Sequence, residues 1–343
     1  MNGPVIRDVR SLSVPAAGRV EETADQSLPW RVVDRRGEPV GPVNEYLRSL
    51  VANGNRESSC RSYAYDLLRW FRFLDAVGVS WATAGRDEVR DLVLWLIASD
   101  NPQRRRRPGA PAAGSVNPLT GKTHLPDGYG KRTINHNLSV LRAFYDWHLD
   151  RGDGPLMNPV PVKSRRDERP GAHHNPMEPH RHGPRAEFRQ KEPKMLPRAV
   201  PDEVFDRLFE TLRSDRNRAL LAFWISTAAR ANELLSCTLG DVDYGRRVVW
   251  IVTKGTDDRE PVPASGDAFV WLSLYLNEQP ARSSTELLWW TLRKPYKPLA
   301  YSAARAVLLR ANAAIGANVS LHDLRHTAVI YGPSIAMRHV RVA

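Results

Sequence analysis

Three separated stretches of the chain carry side chains suited to holding an anion. The first, Thr227-Ala228-Ala229-Arg230-Ala231-Asn232-Glu233-Leu234, closes an almost continuous apolar run from Leu220 to Thr227. That run reads as a buried helix, and a guanidinium at its end is costly unless a partner or a ligand receives it. Glu233 stands three residues past Arg230, within same-face reach if the helix continues. A structural Arg230–Glu233 pair and an anion-facing arginine both fit this spacing. The second stretch, Thr253-Lys254-Gly255, sits at the tip of an expected hairpin: a β-branched strand Val248–Val252, a turn over Lys254–Asp258 and a returning strand Arg259–Val262. The third is Leu321-His322-Asp323-Leu324-Arg325-His326-Thr327. On a helix, His322 and Arg325 are at i and i+3, so both can aim at one point. Each piece taken alone recurs by chance.

The composition points to the same kind of ligand. The formal net charge is +12, and of the 50 basic residues 8 are lysine and 42 arginine. A charge of that size favours a polyanionic partner, and the arginine fork matches phosphate oxygens bidentately. The arginine and alanine richness is equally what GC-rich coding DNA produces. No stretch approaches the roughly 20 apolar residues of a spanning helix, and the first thirty residues lack a signal-peptide core. Nucleic acid and an anionic membrane both fit such a charge, and a soluble, cytoplasmic nucleic-acid binder is therefore expected rather than a membrane-bound protein. Cys60 and Cys237 lie far apart, form no metal-ligand spacing, and suit a reducing compartment as small core residues.

The elements that must position these residues divide into four regions. Residues 1–40, rich in Pro, Gly and charge, read as a poorly ordered, flexible arm with a short ribbon around Trp30–Val33 and Asp34–Gly37. Residues 41–160 read as an all-helical domain of four or five helices. Its apolar stripes are Leu47 and Leu50; Tyr63, Leu67, Phe71 and Leu74, behind Ser58 and Ser59 as N-caps; Val89, Leu92, Val93, Leu96 and Ile97; and Ile134, Leu138, Leu141, Tyr145 and Leu149. A long basic loop from Asn101 to Gly130, with the block Arg104–Arg107, interrupts it. Arginines on the outer faces suit a DNA backbone or plain solvent. Residues 161–198 form a basic linker; Lys163–Arg198 holds ten Lys or Arg and five Asp or Glu. His173, His174, His180 and His182 lie in it, but without Cys or a scaffold they define no metal site. From 199 a second domain begins, with helices over Val204–Leu212, Phe269–Leu276 and Ser302–Ile315.

Together, Arg-x-x-Glu-Leu in its Thr-Ala-Ala-Arg context, a hairpin lysine, and Leu-His-Asp-Leu-Arg-His-Thr resemble the tyrosine recombinase (phage-integrase) family in order and approximate spacing. Leu235, Leu239, Asp241 and Asp243 match the segment that usually follows the first box, and the similarity runs from about Val43 to Thr327. The resemblance implies a mainly α, two-domain protein: an N-terminal all-helical core-binding (SAM-like) domain, and a mixed α+β catalytic domain with a small antiparallel sheet. It implies double-stranded DNA as partner, a homo-oligomer (a tetramer on DNA), and no cofactor or metal. By that likeness Arg230 and Arg325 would clamp the non-bridging oxygens of a phosphodiester, where charge builds during attack. His322 would add a hydrogen bond, Lys254 would protonate the departing 5′ oxygen, and Glu233 would orient Arg230. In the family a tyrosine phenolate attacks and a 3′-phosphotyrosine stores the bond energy.

Only 18 residues follow Arg325, and they match neither the family's Leu-Gly-His segment nor its nucleophilic tyrosine. The catalytic domain, 199–343, therefore reads as C-terminally incomplete by frameshift or early stop, and the chain as inactive. Tyr331, on the expected helix after Arg325, occupies an ordinary packing position, and Tyr301 reads as a helix start; neither is assigned as nucleophile, and His339 lacks the context of the absent histidine. Truncation should uncover apolar surface on the Leu220–Thr227 and Ser302–Ile315 helices. Two alternatives stand beside a recombinase: a non-catalytic DNA-binding remnant or partner of an intact recombinase, and a helical transcription regulator, for which no convincing helix-turn-helix is found.

Overall fold

The computed structural model describes residues 7–104, 106, 108–160, 187–193, 198–253 and 255–336, the side chains of 331–336 excepted. His173, His174, His180 and His182 lie outside these residues, and so does Lys254. The chain divides into two compact units, one built from residues 1–110 and 126–193, the other from 111–125 and 194–343. The stretch 111–125, read from sequence as part of a loop in the helical domain, thus clusters with the second unit.

In the first unit, strands β1 (Arg19–Glu22) and β2 (Trp30–Val33) form an antiparallel ribbon with Arg19 opposite Val33. Trp30–Val33 thus pairs with an upstream strand and also turns back through 34–37 as expected, where Val33 bridges Pro39 and the Asp34 N–H bonds the Glu38 carbonyl (2.8 Å). The described part of this region differs from the expected poorly ordered arm because its side chains are anchored. Val32 and Val33 are buried, the Asn44 side chain bonds both the N–H and the C=O of Val32, and Arg7 pairs with Glu88 and the buried Asp91.

Four helices follow: α1 (Gly41–Ala52), α2 (Glu57–Val77), α3 (Arg86–Ala98) and α4 (Lys131–Leu149). α2 packs on α1, α3, α4 and both ribbon strands, so it buries more than one stripe. Leu67 and Leu74 are in the core as expected, but Tyr63 and Phe71 are only half-buried, and the largest contributions come from Trp70 and Phe73. The Trp70 indole donates to the Tyr145 hydroxyl (2.9 Å), which donates to the Trp81 carbonyl (3.1 Å), so both buried polar ends are satisfied. Two further expectations are corrected. Ser58 and Ser59 lie within the first turn of α2, whose N-cap is Arg56, and Ile97 points to solvent.

The second unit is organised around α6 (Asp215–Thr227), buried from Ala219 through Thr227 and packed chiefly on α8 (Gly266–Asn277) and α10 (Leu321–Ala336). Around it stand α5 (Asp202–Glu210), α7 (Ala231–Leu235) and α9 (Tyr301–Ile315). A three-stranded antiparallel sheet, β3 (Val242–Asp243), β4 (Val248–Val252) and β5 (Arg259–Pro263), completes it in the order β3-β4-β5. The expected hairpin is β4–β5, with Val252 opposite Arg259; β3 is a third strand that the sequence reading did not assign. The expected uncovering of α6 does not occur, since Leu220–Thr227 is buried throughout. On α9 Tyr301 and Leu309 are exposed, and on α10 Val329 and Ile330. Among the described residues, no helix is long and apolar enough to cross a membrane.

Candidate functional site

The end of α6 decides where Arg230 points. Ala228 closes the helix in the left-handed region (φ 55°), which is uncommon for a residue with a Cβ. The helix does not run on to Glu233, as same-face spacing would require. Arg230 is instead extended backbone (φ −70°, ψ 150°) at the N-cap of α7, with Glu233 in the first turn. The pair still forms, by another route: the buried Glu233 carboxylate accepts the Arg230 backbone N–H at 2.7 Å and its guanidinium at 2.7 Å. α7 is fixed from behind, because the fully buried Trp289 donates its indole N–H to the Leu234 carbonyl (2.8 Å).

Arg325, on the second turn of α10, reaches the same carboxylate, with its Nη1 3.9 Å from Glu233 Oε2. Two guanidinium groups 95 positions apart in sequence thus meet at one buried carboxylate. Their side chains keep 48% and 29% exposure, against 6% for Glu233. One buried negative charge between two cations leaves a net positive, half-open site. A guanidinium carries five N–H donors, so a carboxylate on one edge does not exhaust it. Charges in such a partly dry place act more strongly than in water.

His322 opens the first turn of α10, one turn before Arg325, and its ring stacks edge-to-face on His326 with centroids 4.2 Å apart. His322, His326 and Asp323 line a cavity of about 230 Å³ with Thr120, Lys122 and Arg198. Burial pushes the Asp323 carboxyl up, but hydrogen bonds from Lys122 and Ser320 outweigh it and hold the group below the usual carboxylate range. Between β4 and β5, the Thr253 N–H bonds the Asp258 carbonyl (2.9 Å) and Gly255 has φ 125°; in sequence Lys254 lies between these two. That φ is open to glycine and strained for other residues. The lysine itself is outside the described residues. Tyr301 starts α9 with its side chain about half exposed, and Tyr331 falls on α10 where side chains are not described.

Cys237 is buried beside Glu233, donating to its carbonyl; burial first, and then the nearby Asp241 and Glu233, push the thiol up to about 12, so it stays an inert thiol. Among the described residues no group of three or more His, Cys, Asp or Glu side chains is disposed to hold a metal ion. In the first unit a separate polar cluster sits between α2 and α4. Buried Asp66 accepts from Arg69 (2.5 Å), His136 Nδ1 (2.6 Å) and Asn137 (3.2 Å). The sequence reading assigned no role to this cluster, nor to Lys122. Apart from the i,i+3 pair of Asp66 with Arg69, these pairings join residues far apart in the chain and have no local periodic signature.

Comparison with known proteins adds an independent line. Residues 199–330 match the phage integrase family, and residues 43–106 match the phage integrase N-terminal SAM-like domain. Tyrosine recombinase XerD of Pseudomonas aeruginosa (strain PAO1) is 24% identical over 300 residues, covering 83% of this chain and 80% of that protein. Tyrosine recombinase XerC of Serratia marcescens is 24% identical over 241 residues, 68% of this chain but only 62% of the relative, less than two thirds of its length. In fold, the chain resembles a lambda integrase (75–356) dimer bound to a COC′ core site, with TM-score 0.57, 12% identity, and coverage of 87% of this chain and 91% of the other. It also resembles the Tn1549 transposon integrase (82–397) in complex with circular intermediate DNA, with TM-score 0.52, 14% identity, and coverage of 88% and 92%.

Proposed function

The chain belongs to the tyrosine recombinase (phage integrase) family, and on that premise we propose that it binds duplex DNA and grips one backbone phosphate for site-specific strand breakage and rejoining. In this reading Arg230 and Arg325 hold the two non-bridging oxygens, His322 donates a third hydrogen bond, and Glu233 orients both arginines. Negative charge accumulates on those oxygens as a nucleophile attacks, so fixed cations there stabilise the transition state more than the ground state. A tyrosine oxygen forms the new bond to phosphorus, the bond from phosphorus to the 5′ oxygen breaks, and the Lys254 ammonium supplies the proton that the leaving oxygen takes. Rejoining is the reverse, with a 5′ hydroxyl as attacking group. The nucleophile is left unassigned, and the active form is a homo-oligomer on DNA.

The observation that carries this reading is the meeting of Arg230 and Arg325 at buried Glu233 with both guanidinium groups still open to solvent. Two cations on one buried carboxylate leave an excess of positive charge facing solvent, which suits an anionic ligand. The test uses a duplex selected by this chain from a randomised pool, nicked so that cleavage traps product. A covalent adduct lost in Arg230→Ala and Arg325→Ala supports strand breakage. Absence of adduct together with weakened binding in both variants leaves a phosphate-gripping, non-catalytic DNA-binding protein. Binding that ignores both substitutions contradicts the reading.

A further inference from the structure

Residues 115–124 fold back on themselves, the His124 N–H bonding the Ser115 carbonyl (2.8 Å) and the Asn117 N–H the Lys122 carbonyl (2.9 Å). Buried Asn117 sets the turn, its Oδ1 accepting from the N–H groups of Leu119 (3.0 Å) and Thr120 (3.1 Å), while its Nδ2 donates to the Gly316 carbonyl (2.8 Å). The Thr120 hydroxyl donates to Asn318 Oδ1, and Asn318 Nδ2 donates to the Lys122 carbonyl (3.1 Å). The hairpin is therefore docked on 316–320, the loop that leads into α10. From this seat Lys122 Nζ reaches Asp323 Oδ2 (2.5 Å), Ser320 Oγ (3.4 Å) and the Asn318 carbonyl (3.5 Å).

Asp323 and Ser320 form the box that caps α10. The Asp323 carboxylate accepts the Ser320 N–H and hydroxyl, both at 2.7 Å, and the Asp323 N–H reaches Ser320 Oγ at 3.3 Å. The same first turns carry His322 and Arg325. An ammonium at this place is unfavourable for helix stability as such, because the N-terminal end of the helix dipole is already positive. The Asp323 carboxylate offsets that, so the lysine acts on the cap through this one ion pair. Lys122 also lines the cavity that His322 lines.

Resting on the phosphate-grip reading above, we propose that Lys122 is a positioning residue: by holding Asp323 it fixes the entry of α10, and with it the aim of His322 and Arg325. The lysine is supplied by a hairpin whose flanking residues, Ala110 and Pro126, belong to the helical unit.

The test is a double-mutant cycle on the affinity of the full chain for its selected duplex. Lys122→Met weakens binding roughly tenfold, Asp323→Asn does the same, and the double variant is no worse than the weaker single. Lys122→Arg, which keeps charge and reach, stays within about threefold of the parent. The slope of log affinity against log salt is unchanged in Lys122→Met, because no phosphate contact is lost. Should Lys122→Met not fold, Lys122→Gln replaces it in the cycle, and retained affinity in Lys122→Arg remains required. Additive losses with a salt slope reduced by about one would make Lys122 a direct phosphate contact and overturn the proposal. So would full affinity in Lys122→Met where Arg325→Ala is impaired. Full affinity in Arg325→Ala would instead overturn the underlying phosphate-grip reading.

Discussion

Glu233 is the residue on which the site turns, since it is buried and shared by Arg230 and Arg325. On the proposed reading, removing either arginine leaves the other on the carboxylate and subtracts one cation from the gripped phosphate. Arg230→Ala and Arg325→Ala should each weaken duplex binding by about tenfold or more, read by titration at fixed salt. If an adduct forms, each should slow its formation by about 10²- to 10³-fold, the scale of losing one fixed charge stabiliser. A change below about threefold would remove that arginine from its role. A pH effect belongs to the other unit. The hydrogen bond from His136 to Asp66 raises the imidazole pKa from 6.5, against the opposing effect of burial. A raised folded-state value means that the contribution is fully present below the unfolded pKa and is lost as pH rises through the folded one. The stability gap between the parent and His136→Gln should therefore be widest below about pH 6.5 and narrow as the solution becomes alkaline, in denaturant melts across pH. A gap independent of pH would contradict the pairing. The residue types of the site were legible from the two boxes. That both arginines face one point was implied by the resemblance; that Arg325 also reaches Glu233 was not, because the place of that carboxylate depends on a helix break at Ala228 that no local pattern announces.

At the scale of elements, periodicity foretold some helix faces and missed others. In the α4 stripe Ile134, Leu138, Leu141 and Tyr145 are buried as the period implies, and Leu149, at the end of the helix, is only partly so. α2, gripped by three helices and a ribbon, buries Trp70 and Phe73 off the expected stripe, while Ile97 on α3 stays in the pattern yet faces water. α6 is apolar nearly all round and gave no face to choose, which is itself the mark of a central helix. Its packing should dominate the second unit. Phe223, fully buried against Phe269 and Trp289, should cost about 3–5 kcal/mol on truncation to Ala. Urea melts followed through the second unit's tryptophans would check this, and a loss under about 1 kcal/mol would deny α6 that central place.

At the scale of the molecule, the +12 charge and the predominance of arginine lead to one expectation about conditions. With some six to ten phosphate contacts, duplex affinity should fall about 10³- to 10⁵-fold between 50 and 200 mM salt, and salt-insensitive binding would contradict DNA as the partner. Two units were legible from composition and periodicity, but the passage of 111–125 into the second was not. A Pro-, Gly- and Thr-rich run has no period to say which core it docks on; its address is written in Asn117, Thr120 and Lys122 meeting Gly316, Asn318 and Asp323. A fragment beginning at Pro201 lacks that hairpin and should melt lower than the second unit of the intact chain.

Arg230 and Arg325 are proposed to grip one and the same DNA phosphate. The most direct test of this grip measures affinity for the selected duplex with single phosphates neutralised in turn as methylphosphonates, for the parent chain, Arg230→Ala and Arg325→Ala. One position is expected at which neutralisation weakens the parent and adds little further loss in either variant. Full additivity of both substitutions with neutralisation at every position, or a different coupled phosphate for each arginine, would contradict it.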